Sequence, residues 1–227
     1  MVWGGGIEVA LERSIASLKK RHPELPVEVI RLTAADPVQG LVQKTEMLER
    51  TPFDETLFLD ADTVVLDRLD FGFEKAAKFD LACCICEVPW AARYVGLGDR
   101  PDMIEYNTGV LFFTKKARPV FDAWRRLARE IDSSLYFVKD GKHGEMSYND
   151  QCGFAAAIEE VGISPFVLPL NWNLRPSYLG HFYEPVKIWH SYGIVPPEIE
   201  KLAEDYRSGG LLIQEHATPP ELKIKLA

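Results

Sequence analysis

Apolar residues recur every three or four positions in several stretches of the chain, which is the spacing of an amphipathic helix. Apolar positions at 7, 10, 11, 15 and 18 predict a helix over residues 7–21. The same spacing predicts helices over 117–131 and 149–161, and weaker patterns predict helices over 43–50 and 197–206. Each of these helices would bury one apolar face against the rest of the fold.

Short apolar runs lie between the helical stretches, and their length and their β-branched or aromatic content predict strands. The predicted strands cover residues 27–30, 56–59, 79–86, 109–113, 166–168 and 186–189. Strands that alternate with helices are typical of an α/β fold, so we expect a mostly parallel central sheet flanked by helices. Because the chain contains no repeat and no low-complexity linker, we expect one domain over residues 1–227.

Two long segments, residues 89–106 and 132–148, show neither helical nor strand periodicity. Irregular segments of this length in a compact domain are usually functional or mobile. We therefore expect these two segments to determine substrate specificity.

Two aspartates follow the strand predicted at 56–59, in the sequence Leu59-Asp60-Ala61-Asp62. Side chains alternate along a strand, so Asp60 and Asp62 would point the same way if the strand stayed regular. Two like charges held together repel each other unless a cation or a shared proton lies between them. The pattern therefore predicts a divalent metal site, although aspartates at a strand end also begin ordinary turns.

Composition and charge exclude several kinds of partner. The chain has 227 residues, 47% of them hydrophobic, and 26 basic against 34 acidic residues give a net charge of −8. This balance argues against a nucleic-acid backbone or an anionic membrane surface as partner. No apolar run approaches the ~18 residues of a membrane span, and we expect no signal peptide. The four cysteines fit a reducing compartment, so we expect a cytoplasmic protein. The sequence does not determine its oligomeric state.

His190 is the candidate third metal ligand because it directly follows the strand predicted at 186–189. A position at a strand end could bring it to the same sheet edge as Asp60 and Asp62, although a lone histidine is often structural. Two carboxylates and one imidazole form a mixed oxygen and nitrogen set. Such a set suits Mn²⁺ or Mg²⁺ and leaves coordination positions open for a diphosphate.

Several short pieces of sequence follow one another in an order that resembles a known family. They are Lys44, Asp60-Ala61-Asp62, Tyr106-Asn107-Thr108-Gly109-Val110, Asn149-Asp150-Gln151, Leu170-Asn171-Trp172-Asn173 and His190. In this order the set resembles the GT-A-type nucleotide-diphospho-sugar glycosyltransferases, and it is similar to the glycogenin and lipopolysaccharide galactosyltransferase group. The resemblance implies a GT-A-like fold and transfer of a sugar from a nucleotide diphosphate sugar to an acceptor hydroxyl. It also implies a UDP-sugar as donor and retention of configuration.

The resemblance also implies a metal and donor site. Asp62 and His190 would bind Mn²⁺ or Mg²⁺ directly, and Asp60 would share the metal or hold the ribose. Together with Ala61 between the aspartates, these residues would form the donor site, with Lys44 facing the nucleotide or the phosphates. Without the resemblance, Lys44 could equally be a solvated helix residue.

The catalytic residues that the resemblance implies are Asn107, Asp150 and Gln151. Asn107 would meet the donor sugar or the acceptor, because an amide both donates to and accepts from hydroxyl groups. Asp150 and Gln151 begin a predicted helix and would contact the transferred sugar. The alternatives are a turn residue for Asn107 and a helix-capping role for Asp150. If the reaction inverted the configuration, Asp150 could serve as the base.

The sequence departs from the family pattern in two places. The family begins with a strand that contacts the nucleotide base, whereas only Met1-Val2-Trp3 precedes the glycines at 4–6 here. The family also carries a lysine soon after the late histidine, and here the next one is Lys201. We therefore expect a short first strand and weaker or differently placed stabilisation of the leaving group.

Two other functions remain open from the sequence. A haloacid dehalogenase-like phosphohydrolase also places Asp-x-Asp-x-Thr after an apolar strand, with Asp60 as nucleophile and Asp62 as acid and base. That family needs a later acidic pair after a strand, whereas Glu204 and Asp205 lie on a predicted helix. A non-catalytic nucleotide-sugar-binding module is the second alternative. Aromatic residues that could stack on a sugar are Trp90, Trp172, Tyr178 and Tyr183.

Overall fold

A computed structural model describes residues 1–2, 5–87, 94–98, 102–139, 141–177 and 185–209. The helices are α1 (Glu8–Arg21), α2 (Pro37–Lys44), α3 (Met47–Arg50), α4 (Asp70–Phe79), α5 (Arg118–Glu130), α6 (Asp150–Val161) and α7 (Pro197–Arg207). The strands are β1 (Glu55–Leu59), β2 (Thr63–Val65), β3 (Leu81–Ile85), β4 (Tyr106–Thr114), β5 (Leu135–Lys139), β6 (Lys142–Met146), β7 (Phe166–Leu168) and β8 (Ile188–His190).

Four strands form the central sheet in the order β1-β4-β3-β7. β4 pairs antiparallel with β1 and with β3, and β7 pairs parallel with β3. β1, β3 and β7 therefore run in one direction and β4 runs against them. This confirms the expectation of a mostly parallel sheet and adds one reversed strand at its centre.

Helices cover both faces of the sheet, as predicted for a layered α/β fold. On one face, Trp124 and Phe121 of α5 and Phe154 of α6 pack with Phe113 of β4 in a fully buried cluster. On the other face, α4 packs so closely on β4 that a Cβ on Gly72 would lie 2.4 Å from the Phe112 ring. Glycine at this helix position therefore lets α4 approach the sheet.

A second, two-stranded sheet joins the two distant parts of the predicted site. β2 pairs antiparallel with β8, and Thr63 lies opposite His190. Because only three residues separate β1 from β2, the Asp60–Asp62 loop lies beside the end of β8. His190 thus reaches the aspartates through pairing with β2 rather than through the central sheet.

The structure changes the bounds of one predicted helix and of one predicted strand. The helix predicted at 43–50 is two helices, since α2 begins at Pro37, where Asp36 Oδ1 accepts from Gln39 N over 2.9 Å. Pro at the first helical position and a capping aspartate mark this start. The strand predicted at 79–86 begins at Leu81, because Phe79 ends α4 and Asp80 adopts a left-handed conformation with φ of 65°.

The segment at 132–148 was expected to be irregular, and this was wrong in part. It contains the antiparallel hairpin β5–β6, in which Leu135 pairs with Met146. Its turn contains Gly141 with φ of 73°, a conformation that glycine adopts without cost. In the segment at 89–106, residues 89–93 and 99–101 lie outside the described residues, and the described part includes a 3-10 turn at Val95–Leu97.

The strand predicted at 27–30 is reduced to a single parallel bridge between Val2 and Arg31. Val2 N donates to Ile30 O over 2.9 Å, and Leu32 N donates to Val2 O over 2.8 Å. The described part of the first strand is therefore short, while Trp3 and Gly4 lie outside the described residues.

The described part of the chain contains no helix that is both long and apolar enough to cross a bilayer. All four cysteines are buried and carry free thiols.

Candidate functional site

The acidic loop and His190 form one cluster of ligand atoms. The imidazole Nε2 lies 3.3 Å from Asp62 Oδ1 and 3.8 Å from Asp60 Oδ2. One ligand atom from each of the three residues lies within 4.8 Å of the others. These are the three residues that the sequence predicted as metal ligands, and the fold brings them together.

The backbone around Asp60 turns the chain from β1 into β2. Asp60 N donates to Gly109 O over 2.8 Å, which ties the end of β1 to β4. Thr63 N and Thr63 Oγ1 both donate to Asp60 O, at 3.2 Å and 2.8 Å. This tight turn holds Asp60 and Asp62 on the side that faces His190.

The cluster has the charge that a cation site requires. Burial raises the pKa of the Asp62 carboxyl, but hydrogen bonding and charge from His190 outweigh burial, so the pKa lies below its ordinary value. Asp62 is therefore a carboxylate at neutral pH. Two carboxylates and an imidazole suit a divalent ion of the Mn²⁺ or Mg²⁺ type, so the residues present fit the metal that the sequence predicted.

Gly109 leaves the space that this cluster occupies. A Cβ at this position would lie 2.4 Å from His190 Cε1, 2.8 Å from Asp60 Oδ2 and 3.0 Å from Asn107 Oδ1. Such distances are too short for real contacts, so only glycine allows β4 to pass beneath the cluster. The absence of a side chain at Gly109 is thus part of the site.

Lys44 connects the acidic loop to the start of α6. Its Nζ lies 3.1 Å from Asp60 Oδ1 and 3.3 Å from Asp150 Oδ2, and it donates to Thr108 Oγ1 over 3.2 Å. Thr108 Oγ1 in turn donates to Asp150 Oδ2 over 2.6 Å. Burial lowers the pKa of Lys44, but the charges of Asp150 and Asp60 outweigh burial and raise it, so Lys44 is charged.

Asp150 and Gln151 lie in the first turn of α6, as predicted. Asn149 caps this helix, since its Oδ1 accepts from Gln151 N over 2.9 Å. Trp124 Nε1 donates to Asp150 O over 2.9 Å, which fixes the helix start against α5. Asp150 is only 7% exposed, so its carboxylate interacts with Lys44 and Thr108 rather than with bulk water.

Asn107 and Gln151 contact each other in the interior beside the cluster. Asn107 Nδ2 donates to Gln151 Oε1 over 2.7 Å, and their exposed fractions are 3% and 6%. On the other side, Asn107 Oδ1 accepts from Asn173 Nδ2 over 2.7 Å. The fold therefore brings all the predicted site residues into one continuous polar region.

A cavity of about 470 Å³ opens beside the cluster and is lined by Lys44, Asp60, Ala61, Asp62 and His190. Val2, Leu41 and Ile7 add an apolar wall to it. A volume in this range suits a small-molecule ligand. Ala61, which lies between the aspartates, also lines this cavity.

Tyr192 is a cavity residue that the sequence did not reveal. Its ring is 68% exposed and lines the cavity, on a turn that Arg13 holds by donating to Ser191 O over 2.7 Å and to Gly193 O over 2.8 Å. Burial and the negative charge of Asp62 raise the pKa of the Tyr192 hydroxyl. Neither spacing nor a motif marks this tyrosine in the sequence.

Of the four aromatic residues predicted to stack on a sugar, the structure describes only Trp172, and its position does not support that role. Trp172 is 5% exposed and packs with Phe112 and Phe71 in the core. Trp90, Tyr178 and Tyr183 lie outside the described residues.

The chain matches no protein-family model, and it matches no curated protein. Among solved structures, it is similar to the galactosyltransferase LgtC in complex with donor and acceptor sugar analogs, at 14% identity and a TM-score of 0.51. The match covers 92% of this chain and 99% of LgtC. An active-site mutant of LgtC matches at 14% identity and a TM-score of 0.51, over 94% of this chain and 97% of that one.

A third solved structure, the glycosyltransferase GlyE in Streptococcus pneumoniae TIGR4, has 14% identity and a TM-score of 0.48, with 92% of this chain and 59% of that chain covered. The two matches to LgtC extend over nearly the whole of both chains. They show that the chain has the fold of GT-A-type glycosyltransferases.

Proposed function

We propose that the chain is a metal-dependent glycosyltransferase that moves a sugar from a nucleotide diphosphate sugar to an acceptor hydroxyl. The observation that carries the proposal is the cluster of Asp60, Asp62 and His190 at the rim of the 470 Å³ cavity, on a GT-A-type fold. The two alternatives, a phosphohydrolase and a non-catalytic binding module, each leave part of this arrangement without a role.

Asp60, Asp62 and His190 would hold the metal, with Mn²⁺ preferred to Mg²⁺ because one of the ligands is a nitrogen. When bound, a divalent cation supplies Lewis-acid stabilisation of the negative charge that develops on the leaving diphosphate. The resemblance to the glycogenin and LgtC-type group supports a UDP-sugar as donor and retention of anomeric configuration. The net charge of −8 makes local charge compensation of this kind necessary for an anionic donor.

Lys44 would face the nucleotide or the phosphates of the donor, and Asp150 would contact the transferred sugar. Lys44 holds the Asp60 and Asp150 carboxylates in place with one positive charge. Its ammonium also adds positive potential on the phosphate side of the cavity. Asp150 would accept hydrogen bonds from hydroxyl groups of the transferred sugar, with Asn107 and Gln151 behind it.

A phosphohydrolase that uses Asp60 as nucleophile is not favoured. The later acidic pair that such an enzyme needs would have to be Glu204 and Asp205, and both lie on α7, where Asp205 pairs with Lys201. A non-catalytic binding module on the same scaffold would use the cavity, but it would not need the buried contact between Lys44 and Asp150.

The test is an assay of slow donor hydrolysis with a panel of nucleotide sugars and Mn²⁺. Release of nucleoside diphosphate supports the transferase. Release of phosphate from sugar phosphates would indicate the phosphohydrolase, and thermal stabilisation without turnover would indicate the binding module. The free, buried thiols support a cytoplasmic location, which fractionation would test.

The variant Asp62→Asn tests whether turnover depends on the cluster of Asp60, Asp62 and His190. Loss of one group that stabilises a developing charge costs roughly a hundredfold in rate, or about 3 kcal/mol. We expect Asp62→Asn to lose at least that much turnover while it keeps its fold. The matched control is Asp122→Asn on the exposed side of α5, which should behave like the wild type. Equal turnover in the wild type and Asp62→Asn would contradict the proposal.

A further inference from the structure

A chain of buried hydrogen bonds leads from His190 into the interior. The imidazole Nδ1 lies 2.7 Å from Asn173 Oδ1, and Asn173 Nδ2 donates to Asn107 Oδ1 over 2.7 Å. Asn107 Nδ2 donates to Gln151 Oε1 over 2.7 Å, and Gln151 Nε2 donates to Glu105 Oε1 over 2.8 Å. We call this set, which runs from Glu105 to His190, the amide chain.

The backbone fixes the direction of the amide chain at Asn107. A backbone N–H can only donate, and Gly109 N donates to Asn107 Oδ1 over 2.9 Å. The oxygen of the Asn107 amide therefore faces Gly109 and Asn173, and its nitrogen faces Gln151. At the far end, the Glu105 carboxylate accepts from Gln151 Nε2, which orients the second amide in the same sense.

Reversal of the Asn173 amide is excluded by this arrangement. It would place Asn173 Oδ1 about 2.7 Å from Asn107 Oδ1, so that two buried acceptors would face each other. A buried acceptor without a donor costs ~1–3 kcal/mol. Asn107 and Asn173 are each 3% exposed, so water does not relieve that cost. Asn173 Oδ1 therefore faces the imidazole and needs a donor there.

We propose that Asn173 and Asn107 are positioning residues that hold His190 as the tautomer with its proton on Nδ1. When the ring is neutral, the Nε2 lone pair then faces Asp60 and Asp62, where it can bind a cation. The hydrogen bond from Nε2 to Asp62, over 3.3 Å, belongs to the ring that is protonated on both nitrogens. Metal-binding histidines generally donate their other N–H to a fixed partner, and loss of that partner costs roughly 10–100-fold in metal affinity. The proposal rests on the proposed function for the cation, whereas the tautomer is a property of the protein alone.

The amide chain also explains how elements that are distant in the sequence fix the orientation of the His190 imidazole. Asn173 lies in a 3-10 turn at 170–173, Asn107 in β4 and Gln151 in α6. Through these amides, the orientation of the imidazole depends on the central sheet and on the start of α6. The ends of β2 and β8 alone would bring His190 near the aspartates without choosing its tautomer.

The first test measures the tautomer directly in the metal-free wild-type protein. ¹⁵N NMR of labelled histidine, recorded at an alkaline pH at which the imidazole is neutral, distinguishes a proton on Nδ1 from one on Nε2. The signal of His190 among the five histidines is identified by its loss in His190→Gln. We expect the proton on Nδ1. A neutral ring with its proton on Nε2 would overturn the proposal without any variant.

The second test compares Asn173→Ala with Asn171→Ala. Asn171 lies in the same 3-10 turn and is 4% exposed against 3% for Asn173, but it lies outside the amide chain and its Nδ2 donates to Pro185 O over 2.8 Å. We expect Asn173→Ala to bind Mn²⁺ about 10–100-fold more weakly and to lose its preference for one tautomer. Asn171→Ala should keep the wild-type Mn²⁺ affinity and the wild-type tautomer.

Mn²⁺ affinity is measured from the electron paramagnetic resonance of the free ion, and circular dichroism checks that each variant is folded. Wild-type affinity in folded Asn173→Ala, or an equal loss in both variants, would overturn the positioning role. If Asn173→Ala does not fold, the tautomer of the wild-type ring decides. If the wild type binds no Mn²⁺, the proposed function fails, and the NMR result still confirms or overturns the fixed tautomer.

Discussion

Gly109 is the residue around which the site is built, because β4 passes directly beneath the imidazole and the acidic loop there. An added Cβ would lie 2.4 Å from the His190 ring and 2.8 Å from Asp60. Inserting atoms into a packed region costs ~1–3 kcal/mol through forced shifts of its neighbours. At this position the forced shift falls on two proposed ligands.

We expect Gly109→Ala to weaken Mn²⁺ binding by at least tenfold and to lower the free energy of unfolding by ~1–3 kcal/mol. Calorimetric titration and urea denaturation measure the two effects. Gly193→Ala is the matched control, since its Cβ would meet only Ser191 Oγ, at 3.3 Å. Wild-type metal affinity in folded Gly109→Ala would show that the cluster does not need this close approach.

The second prediction at the residue scale concerns the contribution of Lys44 to stability. Lys44→Met removes the positive charge that Lys44 places between Asp60 and Asp150. Removal of one partner of a buried pair costs ~3–5 kcal/mol, and we expect about 3 because Asp60 is 29% exposed. Addition of Asp150→Asn should restore part of that stability, which a double-mutant cycle in urea measures. Independent, additive effects of the two changes would contradict the contact.

At the residue scale, sequence reasoning named the charged residues of the site and the amides Asn107 and Gln151, but it did not predict the hydrogen bonds that join these amides to Asn173 and His190. Asp60, Asp62 and His190 lie at strand ends, and carboxylates after an apolar run are visible in a single sequence. The link from Asn107 to Asn173 joins residues that are 66 positions apart, so no local spacing indicates it. The hydrogen bonds of Thr108 are likewise visible only after β4 and α2 meet.

At the scale of elements, α6 is the helix whose start forms part of the site. Its N-cap was predicted from Asn149 and its end from Gly162, and both are confirmed, the latter with φ of 70°. Local rules fix such boundaries because caps act within one turn. Pairing between strands is not local, so the reversed direction of β4 and the pairing of β2 with β8 were not predicted.

Asn149→Ala tests how far the capped start of α6 supports the site. Loss of an N-cap costs ~1 kcal/mol, and here it also frees the backbone that carries Asp150 and Gln151. We expect Asn149→Ala to lose about that stability in urea and also to lose donor turnover, and Asn149→Ser to recover both. Asp36→Ala removes the cap of α2 and should cost similar stability. Unchanged turnover in Asn149→Ala would show that the cap serves stability alone.

At the scale of the whole molecule, the fold explains why residues from four separate parts of the chain meet. β1 and β4 deliver the acidic loop and Asn107 to one sheet edge, α6 begins there, and β8 returns His190 through β2. The alternation of strands and helices predicted the layers. The hairpin β5–β6 was not predicted. Leu135 and Phe137 of β5 pack in a core cluster, but β6 (Lys142–Met146) is mostly polar and shows no apolar alternation that would mark it as a partner strand.

Metal binding should stabilise the whole molecule, since a ligand that binds only the folded state shifts the unfolding equilibrium. At an Mn²⁺ concentration of 100 times the dissociation constant, the gain is ~2.7 kcal/mol. We expect Mn²⁺ to raise the melting temperature of the wild type and of Asp122→Asn, with reversal by a chelator. Asp62→Asn should show little change, and an equal rise in that variant would place the ion elsewhere.

The central claim is that one divalent cation binds jointly to Asp60, Asp62 and His190. Crystals grown with Mn²⁺ and UDP, measured by anomalous diffraction, test it most directly. We predict one strong Mn²⁺ peak within about 2–2.5 Å of His190 Nε2 and of at least one of the two carboxylates, with the diphosphate on the same ion. A fully formed cavity with bound UDP and no such peak, or a peak without His190 in its coordination shell, would contradict the account.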